Sequence, residues 1–203
     1  MTKNKKQKLL FLDIETAPNI AYLWRLRADY VSVDQLVSSS YVLCVSAMWL
    51  NSRKPMYTSI KKHGKKKMLS IVYNWLKQAD VVVHYNGKKF DIPNLNREFV
   101  EEGMAPPKPT YKQVDMYHVV RHQFKFTSNK LDYVCQKLGL GEKVRHKGMS
   151  LWEECMAGNK KAWATMEKYN KRDVVLLKRL FRRILPWVMN HTPSARVLNG
   201  KVA

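Results

Sequence analysis

Leu9-Leu10-Phe11-Leu12-Asp13-Ile14-Glu15-Thr16 sets an unbroken apolar run directly against two carboxylates. A continuous apolar stretch of this length reads as a central strand buried on both faces, spanning Lys8 to Ile14. Side chains alternate along a strand, so Asp13 and Glu15 fall on the same side of it. Two like charges at the end of a buried strand repel each other and lose hydration. A cation offsets both costs, and a divalent metal is the usual one. The competing reading places the two acids in an exposed loop or at the start of a helix, and this stretch alone does not choose between them.

Strands and helices alternate on either side of this stretch. Ala17 to Ser40 carries Pro18, Trp24, Arg25, Arg27 and Tyr30 and reads as an irregular or partly helical excursion. Tyr41 to Leu50 is apolar and rich in β-formers, a second strand. The turn residues Asn51 to Pro55 lead to a third strand over Met56 to Ile60. Lys61 to Lys67 is a charge cluster around Gly64, read as a turn, and Met68, Ile71, Val72 and Trp75 follow at helical spacing. The cluster suits phosphate contact and equally suits a solvated turn. Val81 to Val83 is a short buried strand. Asp91 to Gly103 is a helix, with Asp91 placed to cap it and Pro93 in its first turn. The Pro-rich connector Pro106 to Pro109 precedes a last strand over Gln113 to Met116. Helices follow over Tyr117 to Gln123, Lys130 to Leu138, Leu151 to Met156 and Asn159 to about Leu185, the last stopped by Pro186. The pattern predicts an α/β domain built on one mixed sheet. The domain is expected over residues 8–189, with a basic arm at 1–7 and a basic tail at 190–203.

The 203 residues suit one well-cored domain. Lys plus Arg number 37 against 16 Asp plus Glu, a net charge of +21. An excess of this size points to a polyanionic partner, nucleic acid before any other. A membrane partner is not expected: no lipidation motif is present and no long basic amphipathic helix stands apart from the core pattern. The Lys-rich start lacks the apolar region of a secretory signal, and no uncharged apolar run reaches membrane-spanning length. Cys44, Cys135 and Cys155 form no C-x-x-C pair, so buried thiols in a reducing cytoplasm are expected. For a phage-encoded chain that compartment is the host cytoplasm. His118 and His122 share a helix face but lack a third zinc ligand nearby.

The long last helix holds an anomaly. Trp163, Met166, Tyr169, Asp173, Leu177, Leu180 and Ile184 recur at steps of three or four, one face of a helix. Asp173 occupies a position where an aliphatic residue belongs. Burying it there costs several kcal/mol, to order of magnitude, unless a cation pairs with it. That cation is either a metal or a Lys or Arg side chain. Tyr169 lies one turn earlier on the same face and reaches the same place. A third segment, His84-Tyr85-Asn86-Gly87-Lys88-Lys89-Phe90-Asp91, directly follows the Val81 to Val83 strand. Groups just beyond strand ends in an open sheet gather in the ligand crevice. Asp91 is therefore a helix cap, a group facing a metal, or both.

Asp13-x-Glu15, Asn86-x-x-x-Phe90-Asp91 and Tyr169-x-x-x-Asp173 together resemble, in order, the three exonuclease motifs of the DEDD superfamily. The Tyr marks the DEDDy branch, which includes proofreading domains of DNA polymerases. The DEDDh branch carries a His where this chain has Lys168. Lys130-Leu131-Asp132 is similar to the short helix often found between the second and third motifs. The resemblance, over about residues 8–185, implies a ribonuclease-H-like fold: a central mixed five-stranded sheet flanked by helices. It implies two divalent ions, Mg²⁺ or Mn²⁺, with Asp13 touching both. Glu15 and Asp173 complete the site of the nucleophile-activating ion, and Asp91 holds the second largely through water. Tyr169 orients the attacking water. Thr16 and Asn86 contact the terminal nucleotide, Lys88 and Lys89 the phosphate backbone, and Phe90 a base. The implied activity is 3′→5′ release of nucleoside monophosphates from single-stranded DNA. The alternatives are an exoribonuclease of the same branch and a catalytically silent binding module, which has no use for four carboxylates that repel phosphate. No polymerase fits in this length, so a proofreading role requires one on a separate chain.

Overall fold

In the computed structural model, which describes residues 7–107 and 111–191, the opening apolar run is the middle strand of a five-stranded sheet. This strand, β1 (Leu9–Thr16), pairs antiparallel with β4 (Val42–Trp49), which pairs antiparallel with β5 (Met56–Ser59) across a short hairpin. On its other side β1 runs parallel to β6 (Val81–His84), and β6 runs parallel to β7 (Lys112–Asp115). The order β5-β4-β1-β6-β7 is the mixed five-stranded sheet expected.

Alternation along β1 divides the core. Leu9 and Phe11 face one layer, where Val174, Leu177 and Phe181 of α7 (Lys160–Arg183) pack. Helices α4 (Met116–Gln123), α5 (Leu131–Lys137) and α8 (Leu185–His191) complete that layer. Leu10, Leu12 and Ile14 face the other layer. It is covered by Met68, Leu69, Val72 and Leu76 of α2 (Lys65–Gln78) and by Ile92, Leu95 and Phe99 of α3 (Asp91–Glu101). Burial on both faces explains why the strand reads as a continuous apolar run. Phe11 meets Phe181 edge to face, with ring centroids 5.3 Å apart. Both rings are fully buried. Phe181→Ala is therefore expected to lower stability by about 3–5 kcal/mol, measured as a shift of the urea midpoint at constant slope.

Several elements depart from the sequence reading. The excursion after β1 is a small antiparallel ribbon of β2 (Ile20–Ala21) and β3 (Leu36–Ser38), with a 3₁₀ turn at Val33–Gln35. The Lys61 to Lys67 cluster is not one turn. It divides at Gly64 between a single helical turn, α1 (Ile60–His63), and the first turn of α2. The buried face of α2 uses Leu69 and Leu76, with Ile71 and Trp75 at its half-buried edge. Pro186 does not end helical structure. The chain bends at Ile184, and Pro186 sits in the first turn of α8, where its missing N–H is tolerated. The expected arm at 1–7 lies outside the described residues except for Gln7. The tail at 190–203 does so too, apart from its first two positions, which belong to α8. The connector before β7 is described only through Pro107. Among the described residues no helix is long and apolar enough to cross a membrane.

Candidate metal centre and active site

The seven stripe residues, six in α7 and Ile184 at its C-terminal cap, are all buried, and the helix packs across β1 and β4. Asn159 starts it by accepting from the backbone N–H groups of Lys161 and Ala162. Asp173 therefore points at the end of β1. Asp13, Glu15 and Asp173 each offer a carboxylate oxygen, and these oxygens all lie within 4.8 Å of one another. Asp91 joins from the first turn of α3. Its Oδ1 accepts from the backbone N–H of Ile14, 3.1 Å away, between the two β1 acids. It does not cap its own helix: the cap position is Phe90, and no side chain bonds there.

Carboxylates this close disfavour charge. Burial, then Asp173, Asp91 and Glu15, hold Asp13 well above the usual carboxylate range. Burial and the charge on Asp173 push Glu15 up to about 8, with Lys143 and a hydrogen bond from Trp152 opposing. Burial raises Asp91 to about 6, against the pull of His84 and the Ile14 N–H. Burial also raises Asp173, opposed mainly by Lys143. A divalent cation removes this repulsion, and the donor set fits one. All the donors are oxygens, which suit hard cations such as Mg²⁺ or Mn²⁺. Asp173 Oδ1 is buried and accepts no hydrogen bond from the described residues.

Two side chains not among the expected site residues, Asn170 and Lys143, complete the centre. Asn170 is fully buried and donates from Nδ2 to Asp13 Oδ2 at 2.6 Å, fixing that carboxylate's orientation. Its place one turn before Asp173 on a buried helix was an available signal. Lys143 comes from the irregular segment between α5 and α6 (Ser150–Met156), where no periodicity marks it. Its Nζ lies 2.5 Å from Asp173 Oδ2 and 3.2 Å from the Tyr169 hydroxyl. The sequence reading left two partners open for Asp173, and Lys143 realises the side-chain one alongside the carboxylate cluster. Burial pulls Lys143 down, but Asp173, Tyr169 and Asp13 outweigh it and leave it raised and charged. Burial, with Asp173 and Glu15, raises Tyr169. It stays a phenol at working pH, so it serves as a hydrogen-bonding group and not as a base. Its ring is fixed edge-on by His146, at 4.8 Å, and by Trp152, at 6.0 Å.

The loop between β6 and α3 is held by Asp115. Asp115 accepts from the backbone N–H of Asn86 at 2.7 Å and of Lys88 at 3.2 Å. Asn86 adopts φ 63°, a conformation Asn tolerates better than most residues. A Cβ on Gly87 would stand 2.5 Å from His84 Cγ and 2.8 Å from Asp91 Oδ2. Gly87→Ala is expected to displace Asp91 and to cost about 1–3 kcal/mol in stability, read in a thermal melt. Asp13, Asn86, Tyr85, Tyr117, Lys130 and Lys143 line one open cleft of about 550 Å³. Thr16 ends β1 half-buried; Lys88, Lys89 and Phe90 are exposed around the same loop. From the Lys61 to Lys67 cluster, Lys65 turns inward to Glu98 at 2.9 Å, and the other lysines are exposed. His118 and His122 stack on each other, and the only potential metal-holding group among the described residues is the carboxylate one. All three cysteines are free and buried.

No curated protein sequence matches the chain. Among solved structures, the fold is similar to the family B DNA polymerase from the hyperthermophilic archaeon Pyrobaculum calidifontis, with a TM-score of 0.70 at 18% identity. The match covers 97% of this chain and 27% of the polymerase, so the chain spans about a quarter of that protein's length. A model of the RNase_H superfamily, RNase_H_2, matches residues 35–185. That segment begins after β1, so it contains Asp91, Tyr169 and Asp173 but not Asp13 and Glu15. With most of its length matched and the mixed sheet in place, the chain belongs to the RNase_H superfamily.

Proposed function

We propose that the chain is a metal-dependent 3′→5′ exonuclease of the DEDDy kind, releasing nucleoside monophosphates from single-stranded DNA. The observation that carries this reading is the convergence of Asp13, Glu15 and Asp173 beside Asp91 and Tyr169. These residues come from β1, α3 and α7, and a binding protein has no use for their mutual repulsion. The fold shared with part of a DNA polymerase supports DNA as the substrate and a DNA polymerase as a fitting partner.

Asp13, Glu15 and Asp173, with Asp91 behind Ile14, would hold two divalent cations. When bound, such cations stabilise charge on the attacking and leaving oxygens and acidify water. The chain's own groups do the rest. The Tyr169 hydroxyl orients the attacking water toward the terminal phosphodiester. Lys143 sets a positive charge where phosphate oxygens pass and ties Tyr169 to Asp173. Asn170 keeps Asp13 from turning away. The cleft beside Asp13 takes the terminal nucleotide, with Asn86 of its lining and Thr16, at the end of β1, as polar contacts. Lys88 and Lys89 approach the backbone, and Phe90, 44% exposed, offers a ring face to a base.

The test uses matched DNA and RNA oligonucleotides labelled at the 5′ end. In Mg²⁺ or Mn²⁺ the DNA should shorten stepwise from its 3′ end, and EDTA should stop it. Cleavage that persists in EDTA, or cuts at internal positions only, contradicts the reading; faster loss of the RNA makes the enzyme an exoribonuclease. Tyr169→Phe is expected to lower kcat roughly 10- to 100-fold while Mn²⁺ affinity stays constant. An unchanged kcat removes Tyr169 from its role.

A further inference from the structure

The ribbon that leaves the site is the least buried part of the described chain. Leu26 is 100% exposed, Trp24 98%, Tyr30 78% and Tyr22 77%. Large apolar side chains clustered in solvent mark an interaction surface. The ribbon is nevertheless built. Gln35 accepts from Ser32 N at 3.0 Å, donates to Tyr22 O at 2.9 Å, and takes the Tyr22 N–H on its own carbonyl at 3.0 Å. Asn19 accepts from Ser40 N at 2.7 Å, and Ala17 N donates to Tyr41 O at 2.8 Å, closing the root.

Placement and chemistry narrow the partner. The root begins at Ala17, immediately after Thr16, on the strand end that carries Asp13 and Glu15. Trp24 lies eight positions after Thr16, so its backbone is at most about 28 Å from that strand end. Aromatic and basic side chains are interleaved at the tip: Tyr22, Trp24, Arg25, Arg27, Tyr30. A groove of about 290 Å³ opens beside Trp24, Arg25 and Tyr30. Of the ribbon's two acids, Asp34 is engaged by the Ser32 hydroxyl, and Asp29 lines the groove. Aromatic faces beside guanidinium groups are what unpaired bases on a phosphate backbone require, and the chain as a whole carries +21. A protein-docking core is depleted of charge, which this tip is not.

We propose that residues 20–38 form an arm that grips single-stranded nucleic acid upstream of the end held at the carboxylates. Trp24 and Tyr30 stack on bases, and Arg25 and Arg27 meet phosphates. As an extension of a nuclease site, the arm rests on the proposed function, but binding can be measured without cleavage.

The experiment compares the unsubstituted protein with Trp24→Ala/Tyr30→Ala and with Arg25→Gln/Arg27→Gln. Anisotropy of a labelled 20-nucleotide deoxythymidine strand in Ca²⁺ reads binding; turnover of a dinucleotide in Mn²⁺ reads the cleft alone. The aromatic pair should weaken binding of the long strand at least about tenfold and leave dinucleotide turnover unchanged. The arginine pair should flatten the salt dependence of binding by about two phosphate contacts. Long-strand affinity equal to that of the unsubstituted protein overturns the arm, whether or not cleavage is seen. Failure of the unsubstituted protein to cleave either substrate overturns the exonuclease reading, and the affinities still decide the arm. If the aromatic substitutions abolish self-association in sedimentation velocity while strand affinity holds, the surface is a protein interface and the arm is refuted.

Discussion

Asp13→Ala and Asp173→Asn are each expected to lower kcat by at least about a thousandfold with the fold intact. Asp13 lies at the convergence of the site, within 4.8 Å of both Glu15 and Asp173 through their nearest oxygens. Removing it takes from Asn170 the carboxylate it donates to and leaves the remaining acids without their shared centre. Asp173→Asn is the sharper test because it preserves shape. The amide still fits the buried stripe of α7, and its oxygen can still accept from Lys143. What it removes is the negative charge a divalent cation needs. Rate and melting temperature should therefore separate: a large fall in rate beside a small change in melting. A similar fall in both would make Asp173 structural. Retention of rate would remove it from the site.

The second large effect concerns the metal-free protein and runs opposite to activity. Glu15→Gln should abolish cleavage and yet stabilise the fold above neutral pH. Glu15 titrates near 4.5 in an unperturbed setting and near 8 in the folded, metal-free chain. Between those values the folded state holds a proton that the unfolded chain has released. Stability therefore falls as pH rises through this window, and the full cost is present above about 8. Asp13, also raised, adds in the same direction. Glutamine carries no charge to bury and keeps an acceptor for Trp152. The variant's stability should accordingly change less between pH 5 and pH 8 than that of the parent, with Mn²⁺ stabilising the parent alone. Urea denaturation at several pH values in EDTA checks this. A parent that gains stability on rising from pH 5 to pH 8 would contradict the burial of repelling carboxylates. The relation is a familiar one: a functional site stores repulsion that a fold optimised for stability would remove.

The parts of the fold that could be read from the sequence were those where one residue had to satisfy a strict period. β1 declared itself through four apolar residues that fill two different layers, and Asp173 through its place in a stripe that is otherwise apolar and aromatic. The role of Asp91 was only half legible. A helix-start aspartate reads as a cap from sequence, whereas here its carboxylate turns across to Ile14. Lys143 was hidden because it reaches the site from an irregular segment, and tertiary position alone brings it to Asp173. The ribbon after β1 was hidden for a related reason. Its strands are two and three residues long, too short for alternation to show, and it exposes apolar residues that a sequence reading assigns to a core. Pro186 marked a real break but not an end, since a proline at a helix start is as acceptable as one past a helix end.

Calorimetric titration of Mn²⁺ into the metal-free protein tests most directly whether acids distant in sequence form one cation site. Saturable binding of two equivalents should appear in the parent, weaken sharply in Asp173→Asn and vanish in Asp13→Ala. Binding of equal strength in all three proteins, or none in the parent, would contradict the site.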